Sequence, residues 1–237
     1  MTDRDKAMLT TRWALDVAAS IAMIVAAAVV IWITALKPAR PRSASGALQL
    51  PKESLSIEGL PVQGSAEAPY AIVVFSEFQC PYCGKFVRET YPSLKSEFVD
   101  TGLVQFAFRH LPLSIHPLAR GAAAGAICAG YQGRFWEMHD LLFGVPLQLD
   151  PPVLRLRAHE LGLNEREFLS CIAEPKREIE ADLLLARNLG VSSTPTFLVG
   201  SVSGKAVKVS KVLAGARSLP DFRIALDELR KASRPRG

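Results

Sequence analysis

Two cysteines spaced as Cys80-Pro81-Tyr82-Cys83 stand where an apolar run gives way to a helical stretch. Ala71-Ile72-Val73-Val74-Phe75 reads as a buried strand, and residues 81–98 read as the helix that follows. A dithiol at such a junction has a mechanism. Cys80 at the helix N-terminus faces unpaired backbone N–H groups and the positive end of the helix dipole, which stabilise a thiolate. Pro81 fits the first helical position, where its missing N–H is no loss. Cys83, one turn later, points inward as the resolving thiol. The competing reading is half of a zinc site, which requires two further ligands at similar spacing. Cys128 and Cys171 stand alone in the sequence, and His110 and His116 lie in a loop-like stretch. The spacing therefore favours dithiol redox chemistry, with no metal.

Residues 17–36 form an uncharged run rich in Ala, Val and Ile. As a helix, a run of that length spans about 30 Å, roughly a bilayer core. Trp13 and Trp32 near its ends suit interfacial anchoring. The chain thus divides into an N-terminal tail (1–16), a transmembrane helix (17–36), a Pro/Ser/Arg-rich linker (37–53) and a globular domain (54–237). A cleaved signal peptide is the alternative, with small residues at Ser43-Ala44-Ser45-Gly46-Ala47. Its apolar segment is usually shorter than this run. Arg4, Lys6 and Arg12 before the run balance Lys37, Arg40 and Arg42 after it, so charge does not set the orientation. The formal net charge of +5 is concentrated around the linker and the C-terminus. That pattern suits lipid headgroups or solubility and argues against a nucleic-acid partner.

The globular part has a readable order. A short edge strand is predicted within 54–62, then the strand at 71–75 and the helix at 81–98, bent at Pro92. Leu103-Val104-Gln105-Phe106-Ala107-Phe108 is a second strand. Apolar positions at helical spacing follow at 118–129, 134–143, 151–161, 165–172 and 176–189. Strand character returns at 196–199 and 206–213, separated by a predicted turn over 200–204. An amphipathic helix at 219–231 closes the chain. The plan is β-α-β, a helical insertion over about 117–189, then β-β-α.

Four separated segments, in order, carry a family resemblance. They are Glu77-Phe78-Gln79-Cys80-Pro81-Tyr82-Cys83, then Arg109-His110-Leu111-Pro112-Leu113 with His116-Pro117, then Gly133-Arg134-Phe135-Trp136-Glu137-Met138-His139-Asp140, and Val191-Ser192-Ser193-Thr194-Pro195-Thr196-Phe197. Together they resemble the DsbA-like thiol oxidoreductases, an α/β class with a thioredoxin-like fold interrupted by a helical domain. The likeness covers about residues 54–232. Glutaredoxins share Cys-Pro-Tyr-Cys but are small and cytosolic. DsbC/DsbG-like isomerases need a dimerisation domain that residues 37–68 are too short to hold. TlpA-like reductases stay open.

The resemblance implies a membrane-tethered enzyme on the extracytoplasmic side, inserting disulfides into secreted or envelope proteins through Cys80 and Cys83. It implies reoxidation by a quinone-linked DsbB-like or VKOR-like membrane partner, and no bound cofactor. Isomerase or reductase activity is the alternative, as is a chaperone or binding module whose dithiol is incidental. Pro81 and Tyr82 are expected to tune the thiolate. Glu77 is expected either to adjust the cysteines or to be an exposed loop carboxylate. Thr194-Pro195 resembles a cis-proline loop facing the dithiol, where the Thr194 backbone pairs with an extended substrate. An ordinary trans proline opening a strand is the other reading. Cys128 and Cys171, on different predicted helices of the insertion, are expected to form a structural disulfide in an oxidising compartment, or else to remain buried thiols. His110, His116, His139 and His159 are expected to be structural.

Overall fold

The computed structural model describes residues 50–144 and 148–232, together with Met23 and Val25. The chain divides into two units, residues 1–46 and 47–237. Of the first, only Met23 and Val25 are described, both helical. The predicted transmembrane run at 17–36 otherwise lies outside the described residues, as does most of the linker. Among the described residues no helix is long and apolar enough to cross a membrane.

The second unit is built on a six-stranded sheet. Its strands are β1 (Leu55–Ser56), β2 (Val62–Gln63), β3 (Tyr70–Ser76), β4 (Val104–His110), β5 (Thr196–Ser203) and β6 (Ala206–Ala214). Their order across the sheet is β1-β6-β5-β3-β4-β2. β3 pairs parallel with β4 and antiparallel with β5. Every residue of β3 is buried. A strand covered on both faces has no need to alternate, which is why its sequence is a continuous apolar run.

The helices are α1 (Pro81–Glu89), α2 (Tyr91–Leu94), α3 (Ala119–Tyr131), α4 (Phe135–Gly144), α5 (Pro151–Glu160), α6 (Glu165–Ala173), α7 (Arg177–Leu189) and α8 (Leu219–Ala232). α3 to α7 form the insertion between β4 and β5. One core joins Phe86 of α1, Phe106 of β4, Phe197 of β5 and Phe222 of α8 with Met138 and Phe143 of α4. A second core packs Ala71, Val73 and Phe75 of β3 against Leu55, Ile57, Ala186 and Val191.

Three sequence expectations are corrected here. The single edge strand expected within 54–62 is two strands at opposite edges of the sheet, β1 against β6 and β2 against β4. Gly59, at φ +72°, turns the chain between them. Ile57 is buried among residues of β3, so the link crosses that face. The helix expected over 81–98 is broken at Thr90 and continues as α2 and a π-turn, Lys95–Val99. Pro92 has no N–H to give the Arg88 carbonyl, and its ring would strike that group. The turn expected over 200–204 is confined to Gly204-Lys205, because β5 runs through Ser203. Gly200 instead sits inside β5 at a register shift, where a Cβ would come within 2.2 Å of the Lys208 carbonyl oxygen.

Candidate active site

Cys80 is the N-cap of α1, in extended conformation, and Pro81 opens the helix. The loop 77–79 carries the chain from β3 to that cap. The β3–β5 register pairs Phe75 with Thr196, so the residues that enter β5 arrive beside the cysteine. The Thr194-Pro195 bond there is cis. The Cys80 thiol donates to the Thr194 carbonyl at 3.4 Å. Gly215 N–H donates to the Pro195 carbonyl at 2.8 Å, tying the β6–α8 link to the same loop. Cys80 and Cys83 are both free and buried, while Tyr82 between them is 63% exposed.

The two thiols differ sharply. Cys80 is pulled down from about 9.0 to about 5, first by a hydrogen bond from the Cys83 thiol. The Thr194 hydroxyl and the backbone N–H groups of Cys83 and Tyr82 add to this and outweigh burial. The Thr194 hydroxyl is buried and has no hydrogen-bond partner among the described residues, so its proton is free to turn to the thiolate. Burial pushes Cys83 well above its ordinary value, and the neighbouring Cys80 pushes it further. One site thus holds a nucleophile that ionises below neutral pH and a partner that stays protonated.

Glu77 is buried at 1% exposure, so it is not an exposed loop carboxylate. Its Oε2 accepts Gln79 N–H at 2.9 Å, and its Oε1 is bonded to His116 Nδ1. Burial raises its pKa against these two bonds, and Cys80 raises it further. His116, expected to be structural, is therefore joined to the active-site loop. Gln79, part of the active-site segment but given no role by the sequence, accepts Leu118 N–H through its Oε1 at 2.8 Å and fastens the loop to the start of the insertion. No local pattern marks either contact, because each joins segments 39 residues apart. His110 is the last residue of β4 and not part of a loop. Burial lowers its pKa to about 3, and burial also lowers that of His139.

Cys128 of α3 and Cys171 of α6 are joined by a disulfide with Cα atoms 5.8 Å apart. They are therefore bonded to each other, and neither completes a zinc site with the dithiol. Among the described residues no group of three or more His, Cys, Asp or Glu side chains could hold a metal ion.

The strand, the dithiol cap and the facing proline loop all lie within a stretch that matches a known family. The family model described as Thioredoxin matches residues 56–213. The chain belongs to the thioredoxin family. Within that family it is DsbA-like. The crystal structure of Wolbachia pipientis alpha-DsbA1 aligns with a TM-score of 0.63 at 26% identity, covering 80% of this chain and 96% of that one. Disulfide bond formation protein D of Bacillus subtilis is 26% identical over 164 residues, 61% of this chain and 69% of that protein. Na(+)/H(+) antiporter NhaA 3 of Salinispora tropica is 36% identical over 171 residues, which is 68% of this chain. The chain spans only 26% of that antiporter's length. The thioredoxin-like α/β fold with its helical insertion therefore follows from the comparisons as well as from the strand order.

Proposed function

We propose that the chain is a membrane-tethered, extracytoplasmic thiol:disulfide oxidoreductase that introduces disulfides into thiol-containing secreted or envelope proteins through Cys80 and Cys83. One observation carries this reading of the chemistry. Cys80 caps α1 with its sulfur between the Cys83 thiol and the Thr194 loop, and it ionises at about pH 5. A stabilised thiolate favours the reduced dithiol, which makes the corresponding disulfide an oxidant.

In the forward reaction a substrate thiolate attacks the Cys80 sulfur of the oxidised pair. A substrate–Cys80 bond forms, the Cys80–Cys83 bond breaks, and Cys83 leaves and takes up a proton. A second substrate thiolate then attacks its own half of the mixed disulfide and releases Cys80 as the thiolate. Two electrons pass from the substrate dithiol to the Cys80–Cys83 pair. A quinone-linked membrane protein of the DsbB-like or VKOR-like kind then removes them.

The Cys128–Cys171 bridge supports an oxidising compartment. The apolar run at 17–36 supports the tether, which raises the effective concentration near a membrane partner. The test is the reduction potential of the full chain in detergent micelles, equilibrated in glutathione buffers. A value near the roughly −120 mV of a strong oxidant is expected, and one near the roughly −270 mV of thioredoxin overturns the oxidase direction. A reporter fused at the C-terminus should read as extracytoplasmic; a cytoplasmic signal overturns the localisation.

A further inference from the structure

Beside the dithiol lies a cavity of about 450 Å³ that runs from Tyr82 and Thr194 to the link between β6 and α8. Two of its lining side chains are cationic, Lys85 and Arg217, and no carboxylate lines it. Lys85 lies one helical turn beyond Tyr82, on the same side of α1. It keeps only a loose 3.9 Å contact with Glu89, and both side chains are mostly exposed. Arg217 is held at two points. Its carbonyl accepts the Thr90 hydroxyl at 3.0 Å, and its Nε donates to the Ala214 carbonyl at 2.8 Å. Its two terminal nitrogens make no hydrogen bond or ion pair among the described residues. Asp221 feels the guanidinium charge, but its bonded oxygen is taken by the N–H and hydroxyl of Ser218, at 3.0 and 2.8 Å.

Resting on the oxidoreductase reading above, we propose that this cavity is a substrate subsite. It selects polypeptides with an acidic residue within two positions of the reacting cysteine. A substrate sulfur bonded to Cys80 leaves its neighbouring residues about 3.3 Å further along for each position of extended chain. That spacing carries them over Thr194 and into the cavity. The stem of a glutamate packs on Ala214, Ala216 and the Tyr82 ring, and its carboxylate meets Lys85 and the positioned Arg217. A lysine at the same place meets two like charges. The cavity that includes His116, itself bonded to Glu77 of the active-site loop, is lined by Arg120 and Arg187; Arg120 is paired with Glu180 at 2.6 Å, which leaves Arg187 as the cation there without an ion pair among the described residues.

The test uses the oxidised full chain in detergent micelles and three two-cysteine peptides. They are identical except for Glu, Gln or Lys beside the first cysteine. The readout is the rate of Cys80–Cys83 reduction, followed by acid quench and thiol labelling. The Glu peptide should react about two- to fivefold faster than the Lys peptide, the range of an exposed ion pair. The ratio should fall toward one in the double variant Lys85→Gln, Arg217→Gln and in high salt, and should be retained in Arg217→Lys. A ratio of one in the wild type overturns the subsite. So does a ratio unchanged in the double variant, which assigns the preference to the peptides themselves. If none of the three peptides reduces the disulfide, the oxidoreductase reading itself fails and the subsite falls with it.

Discussion

At the scale of single residues, the chemistry depends on who donates to the Cys80 sulfur. The Cys83 thiol is the largest contributor, followed among the donors by the Thr194 hydroxyl, and the two backbone N–H groups come from the first turn of α1. A helix N-terminus alone lowers a thiol pKa, but here two side chains do more of it, Cys83 from one turn along α1 and Thr194 from the loop that enters β5. Titrating thiolate absorbance in the reduced full chain should give a midpoint near 5 for Cys80. Cys83→Ala should raise that midpoint most, and Thr194→Val should raise it less, because each removes one donor in the order of its contribution. A midpoint unmoved in both variants would show that the helix alone sets the acidity.

At the scale of elements, α7 is bolted to the end of β4 by one carboxylate. Asp182 accepts Arg109 Nη1 at 2.5 Å and the His110 N–H at 2.7 Å. Burial raises its pKa in spite of the arginine. Both side chains of the pair are nearly buried, at 11% and 4% exposure. Removing one partner strands the other charge, so Asp182→Ala should destabilise the fold by about 3–5 kcal/mol in urea titration. A loss under about 1 kcal/mol, the worth of a surface pair, would show that water reaches Arg109. The Cys128–Cys171 bridge acts within the same insertion and closes a loop of 43 residues. Replacing both cysteines with alanine should lower stability by about 4 kcal/mol on the chain-entropy estimate, while the Cys80 midpoint stays near 5. A midpoint that shifts in that variant would mean the bridge props the active-site loop as well as the insertion.

At the scale of the whole molecule, the redox state and the stability of the fold are linked through protons. The folded reduced form holds Cys80 at about 5, against about 9.0 for an ordinary thiol. The unfolded chain therefore binds more protons between those values, and stability from this group grows as pH rises. It is fully present above about 9 and is lost as pH falls through about 5. The disulfide form has no such group. The stability of the reduced protein relative to the oxidised one should therefore increase from pH 5 to pH 9, as urea titrations of both forms would measure. A difference that stays flat over that range would mean Cys80 is not depressed in the folded chain.

Much of this molecule is written locally. Strand β3, the cap at Cys80, Pro81 at the helix start and the β-α-β, insertion, β-β-α order all follow from periodicity, turn residues and helix-terminus chemistry, each acting within a few residues. The edge strands did not follow, because two residues in each offer no period to read and their partners come from β6 and β4. The length of β5 was hidden by Gly200, a glycine of close approach that reads like a turn glycine until the Lys208 backbone is in place. Glu77 left both an exposed and a buried reading open until the fold enclosed it, and His116 and Gln79 reached their partners only when the insertion docked beside the loop. The nucleophile's position is a local property of a strand that feeds a helix. Its acidity starts locally, with Cys83 and the first turn of α1, but the Thr194 donor, the enclosure and the Arg217 cation come from segments far apart in the chain, and only tertiary packing brings those together.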